Sequence, residues 1–405
     1  MTAGGLQAGE VHHLRIENVA FGGAGVGRAQ GMVVFVPFTA PGEEVEVKIL
    51  SVRKRFALGE LRSILKASAH RVAPPCRSFG KCGGCQLQHI AYSEQLVLKE
   101  KQVGEIFTRL GRFPVPPLRR IIPSPRPFHY RGKADYHIRT TAAGRFMSLG
   151  FRSLEKYNVL DIARCEIVEE SINRSCEMFR EALQRGEGSC RPDRRTIWSS
   201  PEEGMIVPVP ADHENHPLLT RKVKGREVLV PYGGFFQVNT ALVSDLVDQV
   251  LGFTDLNGAE TVLDGYCGAG LFSLFLAPYA GSILGIDING ESLQCARENL
   301  RAAGYENAAF LQGDVAGIMQ QRFVKQRLKA DVIILDPPRS GCERDVLEAT
   351  LAAGAAKVIY ISCNPATQAR DIRYLVERGL TLTGLQPVDM FPQTGHIEVI
   401  ACLKV

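Results

Sequence analysis

The stretch TVLDGYCGAG, residues 261–270, decides the fold of the C-terminal half of this chain. It opens as a short apolar run and continues into a turn with Gly265, Gly268 and Gly270. Glycines in such a turn let the backbone approach a ligand with no Cβ in the way. A dinucleotide fingerprint has the order G-x-G-x-x-G, whereas the order here is G-x-x-G-x-G with Asp264 directly before it. We therefore expect this carboxylate to receive a cationic amine or a hydroxyl, because it would repel a pyrophosphate.

The sequence after this turn alternates between strand-like and helix-like patterns. Apolar runs such as SILGIDIN, DVIILDPPRSG and KVIYISCN are separated by segments with helical periodicity. This alternation predicts an α/β domain with a doubly wound parallel sheet.

Two acidic residues follow the second and third predicted strands. Asp287 lies about 20 residues after the glycine turn, where a carboxylate reaches ribose hydroxyls in nucleoside-binding sheets. Asp314 is placed to accept from an adenine amino group. Taken singly, Asp287 can be a helix N-cap and Asp314 a turn residue. Together with the turn they resemble the S-adenosylmethionine (SAM)-dependent methyltransferase fold, which implies a cofactor site at Asp264, Gly265, Tyr266, Gly268, Gly270, Asp287, Asp314 and Asp336.

The fourth strand ends in ILDPPRSG, residues 334–341. Amino-methylating enzymes of this fold have an aromatic residue after the two prolines, and RNA cytosine-5 methylases have a cysteine there. Arg339 occupies that position and argues against both classes.

The fifth strand ends at Cys363 in YISCNPATQARD, residues 360–371. C5 of a pyrimidine is a poor nucleophile, but a thiolate that adds to C6 converts the ring into an enolate whose C5 can attack a methyl sulfonium. A free thiol has a pKa near 8.5, so a neighbouring cation such as Arg339 would favour the thiolate. The C5 proton must then leave, and Glu398 in FPQTGHIEV is the candidate base.

Four segments of the C-terminal half resemble the RNA 5-methyluridine methyltransferase family: SCNPATQARD, DMFPQTGHIE, GGFFQVN and LDPPRSG. The resemblance implies Cys363 as nucleophile, Glu398 as the base and Asp336 as the group that polarises the uracil edge. It also implies that Gln237 and Asp287 hold SAM and that the substrate base borders Phe235, with Arg339 nearby.

A second cysteine pattern, CRSFGKCGGCQLQH, spans residues 76–89. Cys76, Cys82 and Cys85 lack the second short pair that is typical of zinc sites, although zinc and simple packing remain alternatives. Cys165 would supply a fourth thiolate for a [4Fe–4S] cluster. The resemblance supports this set, because ribosomal-RNA members of the family carry such a cluster, whereas the transfer-RNA uridine-54 enzymes lack it.

The first 66 residues contain four or five short strand patterns between Gly/Pro turns, which predict a small barrel of oligonucleotide-binding type. This part resembles a TRAM domain, an RNA-binding module. Its basic residues Lys48, Arg53, Lys54 and Arg55 would contact phosphates. Basic clusters such as RPDRR, residues 191–195, can equally be solvated surface.

Composition limits the protein to an ordinary soluble class. The net charge is +5, and eleven cysteines without a secretion signal argue against a disulfide framework. We expect a cytoplasmic monomer with a barrel (1–66), a cluster-bearing domain (67–232) and a methyltransferase domain (233–405). It would methylate C5 of a uridine in RNA, with 23S ribosomal RNA as the first choice. The alternatives are a transfer-RNA uridine methylase and a non-catalytic RNA-binding or Fe–S protein.

Overall fold

The computed structural model describes residues 5–154, 158–187, 194–198, 205–208, 218–232 and 234–405. The chain forms two compact units. Unit 1 comprises Met1–Gln102, Arg126–Trp198 and Phe391–His396, and unit 2 comprises Val103–Pro125, Ser199–Met390 and Ile397–Val405. The division into three consecutive domains at residues 66 and 232 stays a prediction.

Unit 1 begins with a sheet of six strands in the order β1-β5-β6-β4-β3-β2. Only β4 and β6 run parallel, and the ladder of β5 and β6 shifts its register at three places, which bends both strands. Alternate residues of β5, among them Val45 and Val47, point into the core. The sequence indicated four or five strands because β2 has only two residues. The strands are β1 Val11–Arg15, β2 Asn18–Val19, β3 Ala24–Ala29, β4 Met32–Pro37, β5 Glu44–Val52 and β6 Phe56–Lys66.

A long helix follows, and then a second sheet in which β10, β7, β8 and β9 are neighbours in that order. Helix α2 was not predicted, although Ile172, Cys176 and Leu183 give it a buried face at helical spacing. Cys190 and residues 191–193 of the basic cluster lie outside the described residues. The elements are α1 Tyr92–Arg109, β7 Lys133–Thr140, β8 Phe146–Arg152, β9 Val159–Asp161, α2 Glu170–Gln184 and β10 Arg194–Trp198.

The segment Phe391–His396 belongs to unit 1, although its neighbours on both sides in the sequence belong to unit 2. Its backbone is held by several hydrogen bonds. The Gln393 carbonyl accepts from the backbone N–H of Gln86 at 3.1 Å and of Leu87 at 2.9 Å. The Tyr130 hydroxyl donates to the Pro392 carbonyl at 3.0 Å. This late part of the sequence therefore completes the packing of residues from its first third.

Unit 2 contains a seven-stranded sheet in the order β16-β15-β14-β17-β18-β20-β19. Its elements are β11 Met205–Pro208, β12 Leu218–Val223, β13 Arg226–Pro231, α3 Val243–Thr254, β14 Thr261–Gly265, α4 Leu271–Leu276, β15 Ser282–Asp287, α5 Gly290–Ala302, β16 Ala308–Gln312, α6 Val315–Met319, β17 Val332–Leu335, α7 Arg344–Ala353, β18 Lys357–Ser362, α8 Pro365–Val376, β19 Thr381–Val388 and β20 Glu398–Lys404.

The predicted doubly wound α/β sheet is confirmed, with one strand reversed. β14 to β18 pair in parallel, whereas β20 is antiparallel to both of its neighbours, β18 and β19. The connection from β19 to β20 contains no helix, and a strand that returns without a crossover helix pairs antiparallel. Among the described residues, no helix combines the length and the apolar character that a membrane span requires.

Candidate active site

The residues predicted to carry chemistry meet at one edge of the sheet of unit 2. Asp287 ends β15, Asp336 directly follows β17, and Cys363 directly follows β18. Glu398 begins β20, and because this strand is antiparallel, its first residue lies at the edge where the parallel strands end. Ligands of open α/β sheets bind at this edge.

The glycine turn after β14 has a backbone that favours glycine at two positions. Gly268 and Gly270 have φ angles of 53° and 74°, in the left-handed region, which Tyr266 also adopts with a φ of 65°. A Cβ on Gly270 would lie 2.9 Å from the Cβ of Ala296, so the helix α5 could not pack there. One Asp264 oxygen accepts from the Ser273 hydroxyl at 2.6 Å and from the Ser273 backbone N–H at 3.1 Å.

The other Asp264 oxygen, Oδ1, is buried and has no hydrogen-bond partner among the described residues. Burial raises the pKa of this carboxyl to about 6. A buried acceptor without a partner is costly, and a bound cation or hydroxyl donor would satisfy it. The orphaned oxygen therefore fits the expectation that Asp264 receives part of a ligand.

Asp287 and Asp314, two further acidic residues of the cofactor prediction, differ in their surroundings. Asp287 accepts backbone N–H bonds from Gly268 and Asn289, each at 2.8 Å. It is not the N-cap of α5, because Asn289 has that role. Asp314 is exposed and is the N-cap of α6, where it accepts from the Gly317 N–H at 2.8 Å.

A pocket beside the glycine turn unites residues from two distant parts of the sequence. Gln237 and Asp336 line it together with Tyr266. The exposed fraction of Gln237 is 7%, whereas that of Phe235, also in the lining, is 67%. An apolar ring exposed to this degree at the rim of a pocket is available to contact a flat ligand.

Cys363 and Glu398 are brought together by the register of β18 and β20. Ser362 pairs with Val399, so the residues one step further, Cys363 and Glu398, are neighbours at the sheet edge. Burial and the Glu398 charge raise the pKa of the Cys363 thiol to about 11, while Arg339 acts in the opposite direction through its charge and a hydrogen bond. The expected effect of Arg339 is therefore present, but it is outweighed in the ligand-free protein.

The same edge concentrates carboxyl groups. Burial, followed by the Asp264 charge, raises the pKa of Asp336 to about 7. Burial, followed by the Asp336 charge, raises the pKa of Glu398 well above its usual value, and Arg339 lowers it. Three neighbouring acids with raised pKa values form a site that favours a cationic ligand.

Cys342, a second thiol near this edge and therefore a rival candidate nucleophile, is buried with 6% exposure. Its backbone N–H donates to Asp371 at 2.9 Å, and burial raises the pKa of its thiol to about 12. It is a packing residue in this structure. Cys176, Cys267, Cys295 and Cys402 are also buried.

The four predicted cluster cysteines are in unit 1. Cys76, Cys82, Cys85 and Cys165 line one cavity of about 440 Å³, and none is in a disulfide. Asn173 in α2 fixes the backbone of Cys165 through two hydrogen bonds, at 3.0 and 3.1 Å. The fold thus brings Cys165 into the same cavity as Cys85, although the two are far apart in the sequence.

The thiols of this cavity influence one another. Burial, together with the charges of neighbouring cysteines, raises the pKa of Cys85 and of Cys165 to about 12. Within the described residues, however, no group of three or more His, Cys, Asp or Glu side chains is arranged to hold a metal ion. The donor set fits an iron–sulfur cluster in its chemistry, and the cluster stays a prediction.

Several residues at the sheet edge were missed by the sequence reasoning. Ser273 orients Asp264, and Asn364 and Thr367 at the start of α8 donate to the carbonyl of Arg339. Ile288 is 72% exposed beside Asp287. Only Ile288 has a signal in the sequence, as an apolar residue directly after a strand-end acid. In the barrel, Arg53, Lys54 and Arg55 are exposed, and their contact with RNA stays a prediction.

Comparison with known proteins gives a consistent set of similarities. Residues 218–404 match the family model for tRNA (uracil-5-)-methyltransferases, and residues 6–61 match the TRAM domain. An uncharacterized RNA methyltransferase of Halalkalibacterium halodurans is 33% identical, over 98% of this chain and 97% of its own length. One of Clostridium tetani is 32% identical, over 98% and 96%.

A solved structure shares the fold over nearly the whole length. It is the tRNA (uracil-54, C5)-methyltransferase of Pyrococcus abyssi in complex with S-adenosyl-L-homocysteine. The TM-score is 0.74 and the sequence identity 23%, over 97% of this chain and 100% of that chain.

The raised carboxyl pKa values predict a pH-dependent stability. The folded-state pKa of Asp336 is near 7, above the unfolded value of 3.8. The free energy of unfolding therefore falls as pH rises from about 4 to 7, and the whole loss is present above pH 7. Asp336→Asn should therefore stabilise the ligand-free protein by on the order of 2 kcal/mol at pH 8, a figure reduced for partial exposure, and by less at pH 5. The measurement is the difference in melting temperature from wild type at the two pH values.

The matched control is Asp345→Asn, which removes an exposed carboxylate and should change stability little at either pH. An Asp336→Asn variant that is less stable than wild type at pH 8 would contradict the buried-charge interpretation.

Proposed function

The chain belongs to the tRNA (uracil-5-)-methyltransferase family, and on that premise we propose that it methylates C5 of one specific uridine in 23S ribosomal RNA. The observation that carries the reaction type is the placement of Cys363 beside Glu398 at the carboxyl edge of the sheet, next to Asp336 and Arg339. A thiol and a carboxyl group in this arrangement are what addition to C6 and removal of the C5 proton require.

We propose that Cys363, as its thiolate, forms a bond from Sγ to C6 of the uracil. The electrons of the C5–C6 double bond move to the O4 carbonyl, and the C5 carbon of this enolate takes the methyl group. Glu398 then accepts the C5 proton, the C5–C6 double bond forms again, and the Sγ–C6 bond breaks to restore the thiolate. Asp336 polarises the uracil edge, and Phe235 borders the base.

SAM supplies the methyl group when it is bound. Gln237 and Asp287 would hold it, with the orphaned oxygen of Asp264 as a further acceptor. A cation at this edge would lower the pKa values of the neighbouring carboxyls, because an opposite charge favours the ionised form. A cationic ligand would therefore favour the ionised form of Glu398, which is the form that can accept a proton.

Two features of unit 1 support an RNA substrate and bear on its identity. The TRAM domain is an RNA-binding module, and the four cysteines in one cavity resemble the ribosomal-RNA branch of the family. The second candidate is a transfer RNA, favoured by the similarity to the Pyrococcus abyssi enzyme. Because that transfer-RNA enzyme shares the fold over 97% of this chain, the fold alone does not separate the two substrates.

The substrate is tested by mapping 5-methyluridine in RNA from cells with and without the gene. We expect one uridine of 23S ribosomal RNA to lose its methyl group in the deletion strain and to regain it when the gene is restored. A strain that carries Cys363→Ala in place of the wild type is the matched control and should not restore it. Loss of 5-methyluridine from transfer RNA alone would establish the second candidate instead.

The two reactive residues are separated by the step at which each acts. Cys363→Ala should abolish turnover and any covalent adduct with RNA, because the adduct forms through its thiol. Glu398→Gln should still permit addition and methylation but stall before elimination, which leaves methylated RNA attached to the protein. The measurement is a denaturant-resistant protein–RNA band together with SAM affinity.

Two matched variants control this experiment. Cys342→Ala removes the buried rival thiol, and Glu343→Gln removes an exposed carboxylate nearby; both should turn over. Normal turnover of Glu398→Gln, or activity of Cys363→Ala, would refute the assignment. A variant without SAM affinity has lost its fold, and its missing adduct counts neither way.

The cysteine cavity predicts iron in the purified protein. We propose that Cys76, Cys82, Cys85 and Cys165 hold a [4Fe–4S] cluster, so anaerobically purified protein should contain about four irons per chain. Cys165→Ser should lose most of that iron, whereas Cys295→Ala, a buried cysteine of unit 2, should keep it. The measurement is iron and acid-labile sulfide per chain. Stoichiometric zinc without iron would sink the proposal.

A further inference from the structure

The loop after β17, residues 337–342, carries Arg339 and is held by side chains of α8. The Arg339 carbonyl oxygen lies 3.0 Å from Nδ2 of Asn364 and 3.2 Å from the hydroxyl of Thr367. Both donors belong to the turn that directly follows Cys363. The backbone of Arg339 is thus hydrogen-bonded to the N-terminal end of α8, the helix that follows Cys363.

The distal part of the loop is fixed in the same way. The Ser340 carbonyl accepts from Arg370 at 3.0 Å, and the Cys342 N–H donates to Asp371 at 2.9 Å. Gly341 has a φ of 80°, and a Cβ at this position would lie 2.4 Å from Oδ2 of Asp371. The path of the loop is therefore set by α8 at both ends of its Arg339–Cys342 segment.

We propose that Asn364 and Thr367 are positioning residues that keep the Arg339 guanidinium against the Cys363 thiol. Arg339 is exposed, and a long side chain on an unrestrained loop would spend much of its time in solvent. Anchoring its carbonyl to the helix that begins after Cys363 limits the distance over which the guanidinium can move. The proposal assigns to these two residues a role in thiol reactivity beyond the capping of α8.

The charges around the thiol make this position matter. Burial, Glu398 of β20 and Asp336 after β17 raise the pKa of Cys363, and Arg339 is the group that lowers it. The N-terminus of α8 acts in the same direction as Arg339, because the helix dipole favours an anion there. If Arg339 were displaced, only the N-terminus of α8 would oppose the rise in the pKa of Cys363 that burial and the two carboxyl groups cause.

Each of the two residues has a second contact, which determines the choice of substitutions. Asn364 caps α8 by accepting from the Ala366 N–H at 3.2 Å. Asn364→Ser keeps a neutral capping oxygen but is too short to reach Arg339. The Thr367 hydroxyl also lies 3.1 Å from the Asn364 carbonyl, so its one proton has two acceptors. Thr367→Val removes that donor and keeps the shape of the side chain.

The test measures thiol reactivity in the full chain, without RNA and without SAM. The probe is iodoacetamide, and the readout is the alkylation rate of Cys363 against pH, followed by mass spectrometry of the peptide that contains it. The double variant Asn364→Ser/Thr367→Val should shift the profile to higher pH and lower the rate at pH 8.5 by about threefold to tenfold, because only the thiolate reacts. Arg339→Gln should lower the rate at least as much.

A double-mutant cycle shows whether the two residues act through Arg339. Added to Arg339→Gln, the double variant should cause no further loss, because the group it positions is already absent. Thr350→Val is the matched control, since the Thr350 hydroxyl likewise donates to a backbone carbonyl, within α7. It should leave the Cys363 profile unchanged.

Two outcomes would overturn the inference: a wild-type alkylation profile in the double variant, or a further loss of equal size in the Arg339→Gln background. Loss of the fold would expose Cys363 and raise its alkylation rate, the opposite of the expected change. The inference rests on the proposed role of Cys363, but the two fail separately. Alkylation needs no RNA, so a protein that methylates no uridine can still show the shift.

Discussion

The antiparallel pairing of β20 with β18 is the constraint on which the proposed chemistry depends. With Ser362 opposite Val399, the proposed nucleophile Cys363, directly after β18, meets the proposed base Glu398, which begins β20. A parallel last strand would place its first residue at the opposite edge of the sheet. A shift of one residue would turn the side chain of Glu398 to the other face. The proposed reaction centre is therefore fixed by backbone hydrogen bonds of the core, which are more rigid than a loop.

The buried carboxyl groups at this edge favour binding of a cationic ligand but destabilise the folded protein. Asp264, Asp336 and Glu398 all have raised pKa values, because burial and the neighbouring acids disfavour their ionised forms in the ligand-free protein. Such sites are destabilising by themselves and persist where function requires them. Arg339 compensates only in part, because it is exposed and has to serve both the thiol and the carboxyls.

The sequence predicted those parts of the structure that local patterns encode. The glycine turn, the strand-end acids and Cys363 were placed correctly at the sheet edge, because strand order and side-chain type carry that information. The direction of β20 was not predicted, since periodicity identifies a strand but not its partner. The net rise in the pKa of Cys363 was also missed, because burial and the proximity of Glu398 arise only when distant segments meet. The hydrogen bonds from Asn364 and Thr367 to Arg339 end on its backbone carbonyl, whose position cannot be predicted from residue types.

The segment Phe391–His396 has a consequence for the order in which the protein can be built. A ribosome releases residues 86–130 long before it has made residue 391, yet Gln86, Leu87 and Tyr130 bond to that late segment. During synthesis unit 1 must therefore wait, with these groups facing water or a chaperone, until β19 has already been translated. Neither unit is a continuous stretch of sequence, so neither can be excised by cutting the gene at two points. Each unit takes a segment from the end of the chain, Phe391–His396 in unit 1 and Ile397–Val405 in unit 2, so each is completed only when synthesis is nearly finished.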